Sequence, residues 1–377
     1  MNDRSERFRN LLVPIFSVIL GLILGAILMV AFGYHPIQGY SSMLNASLGS
    51  QRSIGETLRE ATPLIFTALG FSVANSAGFF NIGLSGQALC GWIVSIWTAL
   101  AFPDLPKAVL LPMCVILGAL AGAMAAAIPG LLRAFFGTSE VIVTIMMNYI
   151  LLYLSTYTLH EVMPESYRSS LDSSNMISQN ASLRIPWLTQ MFGGSRVNGG
   201  LFLALIALVV VWIVMKKTTL GFEIRSVGLN PFASEYAGMS SKRTIILSMV
   251  ISGGLAGLGG VVEGLGTYQN FFVQTTSLSI GFDGMAVSLL GSGSAIGILL
   301  SALLFSVLKI GGLGMQTGAG VPFEIVNVSI ALIIFFVGIN FLIRFLMAKF
   351  FQGKKQEEIV ATIETEPNHQ NQEGGEL

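Results

Sequence analysis

Apolar residues come in long runs along this chain, parted by short polar stretches rich in Gly, Ser and Asn. The first run, residues 11–32, holds twenty-two residues. That is enough to cross the ~30 Å hydrocarbon layer as a helix. Arg4, Arg7 and Arg9 precede it. Its apolar core is longer than that of a cleavable signal and has no small-residue cleavage site, so it predicts a retained first helix. Further runs at 61–78, 81–102, 108–132, 140–160, 197–215, 244–263, 281–291, 295–311 and 323–347 bring the expectation to about ten transmembrane helices. The 281–291 run is too short for an ordinary crossing. Runs 61–78 and 81–102 are separated by almost nothing but GFFNIG, residues 78–83. This predicts broken or re-entrant helices, because irregular backbone at membrane depth survives only when protein buries it or when it lines a watery cavity. A loose echo, GFDGMAVSLLG from Gly281, introduces a second small-residue segment at the short run. The small-residue string SGGLAGLGG, 252–260, predicts close helix approach.

The polar stretches then supply orientation. Lys216, Lys217, Arg225, Lys242 and Arg243 surround or lie within the 216–243 segment, and basic residues beside spans mark the cytoplasmic face. Alternation of spans gives the same side. Residues 1–10 are then a cytoplasmic N-terminus and 11–348 a transmembrane domain, with a polar external stretch at 33–60 and an external loop at 161–196. That loop is either a docking surface or a solvated linker. Arg344, Lys349, Lys354 and Lys355 put the C-terminus inside as well. Within 216–243, Asn230 followed by Pro231 reads as a helix N-cap and first helical position, with Gly238 placed to end the helix. A short helix at 231–237 makes this a folded loop that calls for a partner.

Composition agrees with this picture. The chain has 377 residues, 53% hydrophobic and 11% charged, with a formal net charge of zero, where a soluble domain carries about 25% charged residues. An all-α integral membrane protein is implied, and a nucleic-acid surface is excluded. From Gly353 onward there are six Glu and two Lys, so 349–377 is an acidic tail, low in hydrophobicity and expected to be disordered.

Enzyme signatures are scarce. The chain contains neither a GxxxxGK[ST] phosphate loop nor an HExxH pair, so it should not hydrolyse ATP by itself. Gly83-Leu84-Ser85-Gly86 resembles the nucleophile site of rhomboid intramembrane proteases, but a serine nucleophile needs a histidine in reach. His35, His160 and His369 fall in an external stretch, at the outer end of a span and in the tail. Cys90 and Cys114 lie in apolar runs and read as packing residues, not metal ligands. The remaining candidates are intramembrane polar groups: Asn75, Asn81, Gln87, Glu140, Asn148, Glu263 and Asp283. Glu140, Glu263 and Asp283 lie at span ends and can equally be helix caps. Asn75, Asn81, Gln87, Asn148 and Asp283, with Phe79 and Ser85 beside them, are the candidate lining of a path for a neutral polar solute. No chain of buried carboxylates suggests a proton-driven pump.

Residues 225–239, RSVGLNPFASEYAGM, resemble the cytoplasmic coupling loop of permease subunits of ABC importers for simple sugars and nucleosides, relatives of the ribose and branched-chain amino-acid permeases. Phe80-Asn81-Ile82-Gly83 with Gly86-Gln87, the 252–260 string, and 281–287 with Leu290-Gly291 resemble further family segments, in the expected order, from about residue 60 to 345. Two positions depart from the family: Ser85, where Glu is frequent, and Ala295, where Pro is frequent. The likeness is above all to the nucleoside branch. It implies a type II-like importer permease fold, a bacterial plasma-membrane location, and no cofactor in this chain, since Mg-ATP would be held by a partner ATPase. It further implies a second, paralogous permease, an extracytoplasmic substrate-binding lipoprotein and a nucleoside as solute. Glu223, Arg225, Gly228, Asn230, Pro231, Ala233, Tyr236 and Gly238 would couple to the ATPase. A simple sugar such as ribose or galactose remains the alternative solute, and an ATP-independent facilitator the alternative class.

Overall fold

The computed structural model describes residues 3–338, which are overwhelmingly helical. Helices α1 (Asp3–Ala31) and α2 (Pro36–Leu48) lead into α3 (Gln51–Ser76), whose N-cap Ser50 accepts a hydrogen bond from the Ser53 amide at 3.1 Å. Next come α4 (Leu84–Ala101), α5 (Lys107–Phe136) and α6 (Glu140–Tyr157), the last prolonged by a π-turn at Thr158–Val162. A small folded segment follows, with a hairpin of β1 (Arg168–Ser170) and β2 (Ser173–Ser174) and the short helix α7 (Pro186–Met191). The chain continues through α8 (Gly200–Lys217), α9 (Thr219–Leu229), α10 (Pro231–Tyr236) and α11 (Ser241–Val262), which runs on as a π-turn at Glu263–Tyr268. Helices α12 (Ser279–Leu290), α13 (Ala295–Ala319) and α14 (Phe323–Gly338) complete the described chain.

Two helices form the centre. Every residue of α3 from 61 to 74 is buried, although Pro63 sits inside the helix. The Thr67 hydroxyl lies within bonding distance of both the Pro63 carbonyl, at 3.1 Å, and the Ile280 carbonyl of α12, at 2.8 Å. Helix α11 packs against α3, α4 and α5 with almost no side chain in between. A Cβ on Gly253 would run into Ala126 and Gly122, one on Gly257 would meet Gly118 and Gly122, and one on Gly260 would strike the Ala88 carbonyl. In lipid, where burying apolar surface drives little helix association, such backbone-to-backbone fit is a main source of packing energy. Around this centre α5, α6 and α8 turn apolar side chains outward, among them Leu120, Met124, Ile150, Ile206 and Val210.

The expected ten spans are only partly met. Among the described residues six helices are long and apolar enough to cross a membrane: Leu84–Ala101, Lys107–Phe136, Glu140–Val162, Gly200–Lys217, Ser241–Tyr268 and Ala295–Ala319. The expected span at 61–78 is the second half of α3, whose first half carries Arg52, Glu56, Arg59 and Glu60 and breaks the apolar pattern. The stretch 33–60, read as a polar loop, is instead helix α2 and the start of α3. Helix α12 has twelve residues, a length of about 18 Å, short of the hydrocarbon thickness. Helix α1 begins at Asp3, so the expected N-terminal arm 1–10 is largely helical. The 349–377 tail and the last part of the 323–347 run lie outside the described residues.

The 161–196 loop is folded, not a solvated linker. Its amides at Ser174, Ile177 and Leu183 donate to the carbonyls of Phe271, Gln269 and Leu265 at 2.8, 2.9 and 3.1 Å. Arg184 donates to the carbonyls of Gly266 and Thr267 at 3.0 and 2.7 Å. The segment therefore caps the π-turn that ends α11, and supplies partners to backbone that a regular helix would have satisfied itself. Trp92 closes the space beneath: its ring stacks on Tyr268 with centroids 5.1 Å apart, and its indole nitrogen donates to the Asn270 carbonyl at 3.0 Å.

Close helix contact makes a clear prediction. Gly260→Leu must push α11 off α4, a change of about 1–3 kcal/mol or more, and should abolish a monodisperse peak in detergent chromatography or lower the thermal midpoint by several degrees. Gly254→Ala, whose nearest neighbours lie at 3.6 Å, should leave both unchanged.

Candidate functional site

Three polar constellations stand out among the described residues. The first is the joint between α3 and α4. Gly78 takes a positive φ of 83°, which a residue with a side chain adopts only under strain, and the chain turns there into the non-helical link before α4. Asn81 is fully buried; its amide nitrogen donates to Gln87 Oε1 at 3.0 Å and to Ser252 Oγ at 2.9 Å, and its oxygen accepts from the Gly83 amide at 3.0 Å. Asn148 of α6 accepts from the Gly86 amide at 2.9 Å and donates to the Ile82 carbonyl at 2.9 Å. Ser85 donates to the Leu278 carbonyl at 2.7 Å.

Four of the residues expected to line a path, Asn81, Ser85, Gln87 and Asn148, are thus brought together, but as a packed joint in which each polar side chain has a protein partner. Phe79 is buried too, with the Arg133 guanidinium 5.8 Å from its ring centre. Asn75 is exposed at the last turn of α3. Among the described residues the Ser85 hydroxyl bonds a backbone carbonyl and no histidine, while His160 lies 3.3 Å from Asp172, beside the hairpin. Of the two thiols, Cys114 is buried and Cys90 partly so.

The second constellation is the 216–243 loop. Thr218 accepts from the Gly221 amide at 3.3 Å and starts α9, a helix that sequence reading missed because its pattern continues that of a polar loop. Asn230 accepts from the Ala233 amide at 3.0 Å and starts α10, with Pro231 at the first helical position. Gly238, at φ 85°, follows the end of that helix. Ser241 holds the loop closed by donating to the Pro231 carbonyl at 3.1 Å. Phe232 and Tyr236 lie four residues apart, hence on one helix face, and are 76% and 96% exposed, next to Leu229 at 89%. Arg225, Asn230, Pro231 and Ala233 are exposed as well, Glu223 is partly buried, and Gly228 turns the other way. A Cβ on Gly228 would collide with the Ser76 carbonyl and come within 3.0 Å of the Gly78 amide nitrogen. The loop therefore rests directly on the α3–α4 joint.

The third constellation is a chain of alternating charges at the opposite end of α3. Arg196 pairs with Glu56 at 3.1 Å and Glu56 with Arg59 at 2.8 Å. Arg59 pairs with Glu60 at 3.0 Å, Glu60 with Lys309 at 3.0 Å, and Lys309 with Asp283 at 2.9 Å. Glu263 lies 4.0 Å from Arg59. Of these residues the sequence marks only Asp283 and Glu263, both at span ends, with Asp283 also in the candidate path lining. It placed Glu56, Arg59 and Glu60 in an external stretch. Lys309, a cation inside the apolar 295–311 run, was the available signal.

A family model described as the permease component of branched-chain amino acid transport systems matches residues 53–339. The nucleoside ABC transporter permease protein NupB of Lactococcus lactis is 54% identical over 351 residues, covering 93% of this chain and 95% of that protein. The guanosine ABC transporter permease protein NupP of Bacillus subtilis is 45% identical, covering 91% and 97%. The glucose ABC transporter permease protein TsgB13 of Haloferax volcanii is 34% identical over 86% of each chain. The same Lactococcus and Bacillus strains hold second, more distant relatives, the permease proteins NupC and NupQ, at 26% and 28% identity. No solved structure matches. With three quarters of its length inside one family model and near full-length relatives, this multi-pass membrane protein belongs to the family of branched-chain amino acid transport system permease components, the permeases of ABC transporters.

Proposed function

We propose that the chain is one of two permease subunits of an ABC importer for nucleosides. The observation that carries the reading is the 216–243 loop: two capped helices that present Leu229, Phe232 and Tyr236 to solvent on one side and seat Gly228 on the α3–α4 joint on the other. Large aromatic side chains left exposed on a rigid loop mark a protein interface. An ATPase subunit bound there, holding Mg-ATP in its own site, would reach the core of the permease through the Gly228 contact. The names of the two relatives above 40% identity favour nucleosides as the solute. A sugar is the second reading, favoured by the glucose permease at 34%.

In this proposal the full bundle follows a type II-like importer permease plan with about ten membrane segments, counting α1, α3, α12 and the last helix beside the six long ones. Both termini face the cytoplasm of a bacterial cell. The occurrence of NupC and NupQ beside NupB and NupP supports a paralogous second permease as the partner across the pathway. An extracytoplasmic lipoprotein receptor would dock at the folded 161–196 segment, where Leu171, Met176, Trp187 and Met191 are exposed. Asn75 and Asp283, both accessible, are the members of the expected path lining that can meet a solute in this conformation.

Purification through a tag on this chain should recover a Walker-motif ATPase and a second permease. Recovery of the chain alone, with nucleoside flux in ATP-free vesicles, would make it a facilitator and overturn the proposal. Phe232→Ala with Tyr236→Ala should leave insertion intact and lower the recovered ATPase at least tenfold, as loss of two interface aromatics worth about 2 kcal/mol each allows. Gly228→Leu should retain the ATPase but cut uptake, read as solute moved per ATP hydrolysed.

A further inference from the structure

A groove runs along the outside of the bundle where α5, α8 and the 161–196 segment meet. Leu111, Val115 and Ile116 of α5, Leu183 and Ile185 of the segment and Phe202 of α8 line it, and its volume is about 430 Å³. That falls within the range of small-molecule sites, ~300–1,000 Å³. Its walls are held by the backbone, since the Leu183 amide donates to the Leu265 carbonyl at 3.1 Å and the Gly199 amide to the Leu183 carbonyl at 2.9 Å. The hydroxyl on the wall, Ser182 Oγ, already accepts from the Arg184 amide at 3.1 Å and from the Gln269 side chain at 2.6 Å. The groove therefore offers a ligand apolar contact along its length. Water gains no partners in such a space, and left empty it forfeits dispersion contacts.

One end of the groove is charged. Lys107, the first residue of α5, is exposed at its mouth, and Leu111 and Val115 follow at successive steps of four, so charge and groove share one face of the helix. Ile116 lies nine residues beyond Lys107, about 14 Å along the axis. Among the described residues Lys107 enters no ion pair, neither with Asp104 nor with any other carboxylate. Trp187 marks the depth: it is 56% exposed, and its ring centre lies 6.3 Å from that of Phe202. Tryptophan settles where a membrane meets water. Beyond that level α5 and α8 turn Leu120, Ile206 and Val210 outward, into hydrocarbon. A free cation at the water line thus stands over an apolar trough that opens to lipid.

We propose that this groove is a binding site for one anionic phospholipid, with an acyl chain laid between α5, α8 and residues 183–185 and the headgroup phosphate at Lys107. Charge selects the occupant. An anionic lipid matches both ends of the groove, whereas a zwitterionic lipid carries no net charge to Lys107 and matches only the apolar end. The bound lipid adds contacts between the folded 161–196 segment and two spans, and so steadies that segment against the bundle. The site follows from the membrane location of the chain and is independent of which solute the permease carries.

The test uses the full chain, purified with its native subunits and placed in phosphatidylethanolamine nanodiscs. Each sample holds the same small fraction of a probe with a diazirine in its acyl chain, either phosphatidylglycerol or phosphatidylethanolamine. The phosphatidylglycerol probe is expected to label the peptides that hold residues 111–116 or 199–203 about fivefold more than the zwitterionic probe, the size of one lysine's attraction to an anionic lipid. Lys107→Gln should bring the two probes level, and Val115→Trp, which fills the groove, should remove the label of both. Equal labelling of the unmodified chain by the two probes makes the groove ordinary lipid-facing surface and overturns the site, as does label absent from those peptides or unchanged by Lys107→Gln. A photoreactive benzoylphenylalanine at Ile116 covers the remaining occupant. Its cross-linking to another polypeptide overturns the proposal, and its cross-linking to lipid supports it. Should Val115→Trp fail to assemble, the two-probe comparison on the unmodified chain and on Lys107→Gln, an exposed position, decides alone.

Discussion

Backbone that leaves the helix inside a membrane must find its hydrogen-bond partners within the protein. In this bundle that requirement falls on the short link between Ser76 and Leu84, and the protein meets it with asparagine. Asn81 and Asn148 each use donor and acceptor together, binding the link to α4, α6 and α11. Everything nearby adapts to that joint. Gly281 brings the start of α12 against Ser85, and Gly228 brings the 216–243 loop against Ser76 and Gly78. A broken helix is thus the place where three otherwise separate parts of the chain meet.

The π-turn at Glu263–Tyr268 poses the same problem at the other end, and it is answered differently. There a folded segment outside the helices, 161–196, lends amides and Arg184 to the stray carbonyls. The 161–196 segment is bonded directly to backbone next to Glu263 and Tyr268. Arg196, at its edge, starts the charge chain that reaches Asp283. The folded segment and the ion-pair chain are parts of one bonded unit.

Much of this could be read in the sequence, and the limits have physical causes. Long apolar runs pointed to α4, α5, α6, α8, α11 and α13, because helices of that length and apolarity are stable in lipid and not in water. The capping pattern at Asn230-Pro231 gave α10. The small-residue string 252–260 foretold close approach, though not which helices would approach. Asn81, Gln87 and Asn148 were legible as important but not as mutual partners, since a polar residue in an apolar run looks the same whether it faces water or another amide. The first half of α3 was hidden by its charges. Glu56, Arg59 and Glu60 look like loop residues until Lys309 and Glu263, more than two hundred positions away, are brought beside them. Pairing across such separations leaves no local pattern to detect.

One consequence of α3 concerns how small a movement matters. The helix has twenty-six residues, about 39 Å from end to end. It touches the exposed aromatic loop near one end and carries three members of the ion-pair chain near the other. If the helix swings as a rigid arm, a tilt of only a few degrees displaces its far end by on the order of one hydrogen-bond length. That is enough to unmake contacts such as the pair of Glu60 with Lys309 at 3.0 Å. The geometry of a single helix thereby gives the exposed aromatic loop and the ion-pair chain a common mechanical reference, with a lever ratio fixed by residue count.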